Sequence, residues 1–315
     1  MKKLIISLDN VSNNNIQTIV QGIKYFSLKN KTISIFVVGK QKDILTLESQ
    51  KNLNLVFSHL EGEEEKKDLY KFTLDLALDT LKDKNGDALI SFINKKELYS
   101  LTSRIKDISF PFYLNRFLTG ITNRYSYLAD AGLNDYITIE EYKTMLKTSK
   151  DFLSNTFQLK NPTFSLASPT ENRHNLSDVD KELLSTLSVE GNFNGLSSPF
   201  NMIRGKSDLY LASGIESEFL IQGIKAMALS YKEKYDKYIK DDFFAKVSTF
   251  FAKRMNKFVL SNTKSNLNRL GSFLLGKEKL IIKGDTDSTA TDILNMLLDT
   301  KKYLDYLTLL DFKKN

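Results

Sequence analysis

The chain has 315 residues, of which 41% are hydrophobic and 26% charged, with four Pro and neither Cys nor Trp. This composition is ordinary for a globular protein and excludes a disordered tail, a collagen-like fibre and a disulfide scaffold. The absence of cysteine also excludes thiol catalysis, iron–sulfur clusters and cysteine-ligated zinc.

The formal net charge is +7, and seven of the 45 basic residues are arginine. Sequence-specific nucleic-acid binding relies on the planar arginine fork, so a lysine excess spread along the chain predicts no nucleic-acid partner. A positive field still attracts phosphate, acidic proteins or an anionic membrane surface. No apolar run reaches membrane-spanning length and the N-terminal run is too short for a signal peptide, so we expect a cytoplasmic protein. His59 and His174 are the only histidines, and we expect no metal and no cofactor.

Short apolar runs alternate with amphipathic stretches along the chain. Runs rich in Ile, Val, Leu and Phe predict strands at residues 4–8, 33–38, 53–57, 88–92, 164–167, 208–212 and 279–283. Helical periodicity predicts helices at residues 16–28, 67–81, 139–152 and 290–310. The alternation predicts an α/β fold with a three-layer, mostly parallel sheet and helices on both faces. We expect a single domain with two lobes over residues 1–315.

Residues 217–264 depart from this alternation of strands and helices, because almost fifty residues there have a helical pattern. The stretch predicts a helical hairpin of two long helices with a break near residues 240–242, too apolar to stand alone in water. A packing or dimer element is the first interpretation. Basic residues beside the aromatic stripe, such as Lys246 and Lys253, also favour a membrane-surface or partner-binding element.

Ligands in parallel sheets bind beyond the carboxyl ends of the strands, so the loops there hold the candidate residues. The loop 9–15 favours a helix-starting turn, and Asn94, Lys95 and Lys96 lie at a predicted helix start, where an anion-binding role competes with a surface turn. The loop 168–174 contains Arg173, whose fork suits phosphate or carboxylate, and His174, which could carry a proton. The two glutamates that follow Gly214, at positions 216 and 218, fit a helix start but would repel phosphate. No GxGxxG or P-loop motif is present.

The ordered set of loops resembles the PlsX phosphate acyltransferases. The family motif LDAMGGD matches residues 8–14, DAxVSAGNTGA matches 87–97, DVGAN matches 130–134, the Asn-Pro and GLLNxGE motifs match 161–171, VDVVVCDGFTGN matches 207–218, and GAPLLG followed by VVIKGHGSS matches 271–276 and 280–288. The resemblance covers nearly the whole chain. It implies an enzyme that converts acyl-(acyl carrier protein) and phosphate to acyl phosphate in phospholipid synthesis, needs no cofactor, and forms a homodimer through its long helices.

The resemblance also implies site residues. Those in catalytic roles would be Asn94, Asp130, Asn134 and Glu171. Those in substrate-binding roles would be Asp9, Asn13, Asn14, Arg173, Gly214 and Lys283. Catalysis would be positional and electrostatic, with phosphate attacking a thioester carbonyl. The implied partners are acyl carrier protein, phosphate, a long-chain fatty acyl group and a membrane surface.

The departures from the family pattern fall at the expected phosphate site. Family glycines are replaced by residues 12–13 and by Ile93 and Lys96, and His-Gly is replaced by Asp285 and Thr286. Backbone N–H groups approach an anion most easily at glycine, so these changes weaken a phosphate cradle. Two interpretations remain open: an acyltransferase with reduced activity, and a non-catalytic module that binds a fatty acyl group or acyl carrier protein. A third interpretation is an oxidoreductase or a short-chain phosphate acyltransferase.

Overall fold

The fold is an eleven-stranded sheet with helices on both faces, as seen in a computed structural model that describes residues 1–11, 13–48, 53–58, 69–119, 124–172, 176–241 and 271–314. The strands are β1 (Lys2–Ser7), β2 (Ile33–Gly39), β3 (Leu53–Phe57), β4 (Ala88–Ser91), β5 (Asp107–Leu118), β6 (Tyr125–Ala129), β7 (Phe164–Ala167), β8 (Phe193–Ser197), β9 (Leu209–Leu211), β10 (Ser272–Lys277) and β11 (Leu280–Lys283). Their order in the sheet is β3-β2-β1-β4-β11-β10-β5-β6-β9-β7-β8.

Nine α-helices are described in the same parts of the chain. They are α1 (Asn13–Lys29), α2 (Gln41–Ile44), α3 (Leu69–Asp83), α4 (Lys95–Leu101), α5 (Ile139–Phe157), α6 (Asp178–Ser188), α7 (Pro199–Arg204), α8 (Gly214–Asp241) and α9 (Ala290–Lys314). The predicted α/β class is therefore confirmed. No helix in the described ranges combines the length and the hydropathy needed to cross a bilayer.

The strands bury side chains on both faces of the sheet. In β1, Leu4 and Ile6 join a core with α1, α5, α6 and α9, whereas Ile5 joins a second core with α3, α4, α7 and α8. Successive side chains of a strand point to opposite faces, so an unbroken apolar run is the pattern of a strand covered on both sides.

The sheet consists of two parallel sets of strands that run in opposite directions. Strands β1, β2, β3, β4 and β11 pair in parallel, and β6, β9, β7 and β8 form a second parallel set. Strands β10 and β5 join the two sets through three antiparallel pairings. Because the direction inverts three times between β11 and β6, β4 and β6 run in opposite directions within the sheet.

The C-terminal helix α9 is held to the sheet by a buried ion pair. Arg116 of β5 lies 2.6 Å from Asp299 of α9, and both side chains are almost fully buried. The Arg116 guanidinium also stacks over the ring of Tyr125, 4.0 Å from its centroid. Lys302 adds a second contact to Asp299 at 2.9 Å. The pair therefore joins the end of the chain to the antiparallel centre of the sheet.

Some predicted elements were incomplete. The seven predicted strands are all present, but β5, β6, β8 and β10 were missed. The predicted helical hairpin begins within α8, which is still helical at residues 240 and 241 of the predicted break. Residue 242 and the predicted second helix lie outside the described residues. The division into two lobes stays a prediction.

Candidate functional site

The candidate site lies where the loops after β4 and β6 meet. Lys95, at the start of α4, donates a hydrogen bond from Nζ to the carbonyl oxygen of Ala131, which follows β6. The hydroxyl of Tyr113 on β5 donates to the carbonyl oxygen of Lys95 at 2.9 Å. The ends of the two oppositely directed strand sets are thus connected through Lys95.

Asp9 ties the end of β1 to the end of β4. Its buried carboxylate accepts a hydrogen bond from the Ser91 hydroxyl at 2.6 Å and another from the Phe92 N–H at 2.7 Å. Burial raises the pKa of Asp9 to about 7, although these two bonds lower it. Asp9 therefore fixes the loop that leads to Lys95.

Asp130 organises the loop after β6. One carboxylate oxygen accepts from the Tyr113 N–H at 2.9 Å, and the other accepts from the Asn134 N–H at 2.6 Å and the Asn134 side-chain amide at 2.9 Å. That amide also donates to the carbonyl oxygen of Pro111 at 2.8 Å. Burial raises the pKa of Asp130, and the bonds from Asn134 and Tyr113 lower it. Through these hydrogen bonds, Asp130 and Asn134 fix the conformation of the loop after β6.

Lys95 is the centre of a group of charges that we call the Lys95 cluster, made of Lys95, Asp130, Glu218, Lys283 and Asp285. The Lys95 ammonium lies 3.9 Å from the Glu218 carboxylate. The pKa of Lys95 is lowered to about 8, mainly by burial and also by repulsion from Lys283, whereas Glu218, Asp130 and Asp285 raise it. The two lysines attract a small anion, whereas the three carboxylates of the cluster repel it.

Gly214 lets α8 approach the loop after β6. Its N–H donates to the carbonyl oxygen of Asn134 at 2.7 Å, and a Cβ on Gly214 would lie only 2.7 Å from the same oxygen. This close contact brings Glu218, one turn later on α8, to Lys95. Gly214 is thus a packing residue in the described geometry.

Asn94 caps helix α4. Its side-chain oxygen accepts from the Glu97 N–H at 2.9 Å, and its amide donates to the Glu97 carboxylate at 2.8 Å. These bonds give Asn94 the role expected of a helix N-cap. Its proposed catalytic role stays a prediction.

Glu171 lies at the start of α7. It accepts from the N–H and the hydroxyl of Ser198, each at 2.9 Å, and from the side-chain amide of Asn201. The Ser198 N–H is the main cause that lowers the pKa of Glu171 to about 2. These contacts fasten the loop after β7 to α7, and the structure does not place Glu171 in the Lys95 cluster.

The remaining predicted residues are placed less completely. Lys283 ends β11, level with Ser91 of β4, and its charge acts on Lys95. Asn13 and Asn14 begin α1, and their side chains lie outside the described part of the molecule. Arg173, with His174, lies outside the described residues. The site roles of these residues stay predictions.

The sequence analysis did not predict that two members of the cluster are in contact. Lys95 favoured a surface turn and Glu218 a helix start, but the structure brings them together. The available signal was that Lys95 lies shortly after a strand whose residues are all buried. In the described ranges, no group of three or more His, Cys, Asp or Glu is arranged to hold a metal ion.

Comparison with known proteins confirms the resemblance to the phosphate acyltransferases. A protein named phosphate acyltransferase from Mesoplasma florum is 23% identical over 218 residues, which is 67% of this chain and 66% of the relative. This chain therefore spans about two thirds of that relative's length. A protein of the same name from Mycoplasmopsis pulmonis is 23% identical over 279 residues, 85% of each chain. No established protein-family profile matches the chain.

The fold is similar to that of solved acyl-transferring enzymes. The crystal structure of a branched-chain phosphotransacylase from Enterococcus faecalis matches 96% of this chain and 98% of that chain, with a TM-score of 0.59 at 12% identity. At this identity the likeness concerns the fold alone. It agrees with the three-layer α/β architecture described above.

Proposed function

We propose that this chain, a divergent relative of the phosphate acyltransferases, transfers an acyl group from an acyl-(acyl carrier protein) thioester to inorganic phosphate. The observation that carries the proposal is the buried ammonium of Lys95 at the junction of the β4 and β6 loops. The names of the curated relatives supply the reaction class.

In the Lys95 cluster, the two lysines favour a phosphate ligand and the three carboxylates oppose one. The positive charges of Lys95 and Lys283 repel each other, which contributes to the lowered pKa of Lys95. A phosphate dianion beside both groups would relieve this repulsion and form charge-assisted hydrogen bonds. Glu218 is the acidic neighbour best able to move aside, because its side chain is partly exposed.

The reaction requires no group beyond the two substrates and this site. A phosphate oxygen attacks the thioester carbonyl carbon, a C–O bond forms, and the C–S bond breaks. The proton of hydrogen phosphate ends on the departing sulfur, giving acyl phosphate and a free thiol. Lys95 would orient the phosphate and offset its charge during attack, which is catalysis by position and electrostatics.

The other predicted residues take supporting roles in this proposal. Asp130 and Asn134 would act as positioning residues, because they shape the loop whose Ala131 carbonyl receives the Lys95 ammonium. Asp9 would position the same ammonium from the β4 side.

The partners implied by the resemblance belong to the same proposal. The net charge of +7 supports steering of an acidic carrier protein or an anionic membrane surface towards the chain. Homodimer formation and membrane association through residues 217–264 stay predictions, because residues 242–264 lie outside the described ranges.

One observation favours a second function. Glu218 places a carboxylate where an anion would bind, as expected if the site has lost phosphate. The chain would then bind an acyl group or its carrier protein without turning it over.

The test is release of carrier-protein thiol from palmitoyl-(acyl carrier protein), with and without phosphate. We expect phosphate-dependent release that falls about 100-fold in Lys95→Met, the size of effect seen when an electrostatic stabiliser is removed. Lys96→Ala is the matched control, because the adjacent lysine is 62% exposed and pairs with Asp135 on the surface. Release that phosphate does not stimulate would refute acyl transfer to phosphate. Binding of the carrier protein without release would support the second function.

A further inference from the structure

The three carboxylates of the Lys95 cluster differ in their freedom to move. Glu218 is 44% exposed and can turn away into water. Asp130 accepts hydrogen bonds from the protein at both of its carboxylate oxygens. Asp285 is 8% exposed, and its Oδ1 accepts a hydrogen bond from the Asp287 N–H at 3.2 Å, whereas its Oδ2 has no hydrogen-bond partner among the described residues. Asp285 is therefore the carboxylate that stays in the site with an oxygen able to accept a further hydrogen bond.

The main chain around Asp285 is fixed to the end of β4. The Gly284 N–H donates to the carbonyl oxygen of Ser91 at 2.7 Å, and a Cβ on Gly284 would lie only 2.5 Å from the ring of Phe92. On the other side, the carbonyl oxygen of Asp285 accepts a hydrogen bond from the Ser288 N–H at 3.2 Å. Asp285 therefore cannot withdraw from a ligand as an exposed side chain can.

Asp285 shares its surroundings with the two lysines of the cluster. Lys283 ends β11, just before Asp285, and β11 pairs with β4, the strand that leads to Lys95. The charges of Lys283 and Asp285 both act on the pKa of Lys95, the first lowering it and the second raising it. A phosphate held by both lysines would therefore lie near a carboxylate that stays in place. Two such anions repel each other unless a proton is shared between them.

We propose that Asp285 selects phosphate by accepting a hydrogen bond from the protonated oxygen of the anion. Hydrogen phosphate carries one proton, which its P–OH group donates, while its other oxygens face the two lysines. An ionised carboxylate only accepts hydrogen bonds, so an anion without a proton meets repulsion at the same place. The inference rests on the proposed function in one respect, since it concerns the same phosphate site. It adds the residue that decides which oxyanion enters.

Sulfate is the anion that reveals this selection. Sulfate and hydrogen phosphate are both tetrahedral dianions of similar size, but sulfate carries no proton near neutral pH. The two lysines attract anions of equal charge equally, so attraction alone does not separate them. A hydrogen bond to a charged group is stronger than one between neutral groups, and its gain or loss corresponds to about a tenfold to 100-fold difference in affinity.

The position of Asp285 is one of the departures from the family motif. The motif has His-Gly where this chain has Asp285 and Thr286. An aspartate at a phosphate site repels an unprotonated oxygen, but it becomes a hydrogen-bond acceptor when the ligand brings its own proton. The same substitution that weakens attraction for anions in general therefore sharpens the choice among them.

The test measures binding of inorganic phosphate and of sulfate to the full chain by titration calorimetry near neutral pH. We expect the wild type to bind phosphate about tenfold to 100-fold more tightly than sulfate. Asp285→Asn has nearly the same shape but carries an amide that can donate to either anion, so this ratio should fall to about threefold or less. Asp287→Asn is the matched control, because it removes the same charge from an exposed side chain in the same loop, and it should keep the wild-type ratio.

A third anion separates the effect of the proton from that of the phosphorus atom. Monofluorophosphate has phosphorus at its centre but carries no proton near neutral pH, and we expect the wild type to bind it as weakly as sulfate. Asp285→Ser is a second variant, whose hydroxyl can also donate to either anion, and it should lose the preference as Asp285→Asn does. Each ratio comes from one preparation of one variant, so a lower folded fraction affects both titrations alike.

The possible results separate this proposal from the proposed reaction. Equal affinities of the wild type for phosphate and sulfate, or no binding of phosphate, would overturn the proposal. An equal fall of the ratio in Asp285→Asn and Asp287→Asn would overturn it as well, because it would indicate a general effect of charge. Selective phosphate binding that is lost in Asp285→Asn, in a protein without phosphate-dependent thiol release, would retain Asp285 as the selecting residue and reject the reaction. Phosphate-dependent release by a protein that binds phosphate and sulfate alike would do the reverse.

Discussion

The carboxylate of Glu218 lies 3.9 Å from the ammonium of Lys95, but the two side chains differ in exposure. Lys95 is 10% exposed and Glu218 is 44% exposed. A carboxylate at the surface loses little when it leaves such a pair, because water replaces the contact. In the proposed reaction, Glu218 is therefore an anion of the protein that an incoming phosphate would displace.

Neutralising this internal anion should favour phosphate. We expect Glu218→Gln to lower the KM for phosphate about threefold to tenfold in the thiol-release assay, because the competing charge is removed. Glu233→Gln, a change of the same kind further along α8, should leave the KM unchanged. An unchanged or higher KM in Glu218→Gln would show that Glu218 does not compete with phosphate.

Phosphate use should decline in alkaline solution. The pKa of Lys95 is lowered from 10.5 to about 8, so its ammonium loses the proton as the pH rises through 8. We expect the KM for phosphate to rise between pH 8 and pH 10 in the wild type. Lys95→Arg keeps its charge throughout this range and should show a flatter profile. Parallel profiles for the two proteins would argue against Lys95 as the phosphate-binding cation.

Gly214 and Gly223 offer a comparison within one helix. A Cβ at Gly214 would lie 2.7 Å from the Asn134 carbonyl oxygen, whereas one at Gly223 would meet nothing within 4 Å. We expect Gly214→Ala to lower the free energy of unfolding by about 1–3 kcal/mol through overpacking. Gly223→Ala should raise it by about 0.5–1 kcal/mol. Urea unfolding of the two variants measures both, and equal effects would contradict the close approach of α8 to the loop after β6.

The Arg116–Asp299 pair should be sensitive to the loss of one partner. Arg116→Met leaves Asp299 buried beside a neutral side chain, and we expect a loss of about 3–5 kcal/mol in the free energy of unfolding. The double variant Arg116→Met with Asp299→Leu should recover most of this loss, because neither charge is then buried alone. Urea unfolding in a double-mutant cycle gives the coupling free energy. Additive effects would show that the pair contributes no coupling.

The sequence predicted the parallel strands better than the antiparallel ones. An unbroken apolar run such as 33–38 is typical of a strand buried on both faces, and it forms β2. Strand β5 includes Pro111, and charged or polar residues such as Asn115 and Arg116 interrupt its apolar run. Ser272 of β10 bonds to Asn115 and Asp299 of α9 pairs with Arg116, but only after the chain has folded. Such strands depend on contacts that are distant in sequence, which local patterns do not contain.

The sequence predicted some residues of the candidate site but not the contacts between them. Asp9 and Asp130 were identified from their motif positions, and both organise strand-end loops in the structure. The pairing of Lys95 with Glu218 could not be predicted, because it joins the starts of α4 and α8, which are distant in sequence. Glu171 was expected near the chemistry, but its hydrogen bonds are with α7.

The order of the strands in the sheet determines when the central strands can pair during synthesis of the chain. Strands β10 and β11 are synthesised last among the strands, but they lie between β4 and β5 in the middle of the sheet. While the ribosome is still translating residues before 272, β4 and β5 each have an open edge that only the missing hairpin can cover. Pairings this distant in sequence form slowly, and uncovered strand edges promote association between chains. These edges therefore stay uncovered in the nascent protein until residues 272–283 have emerged.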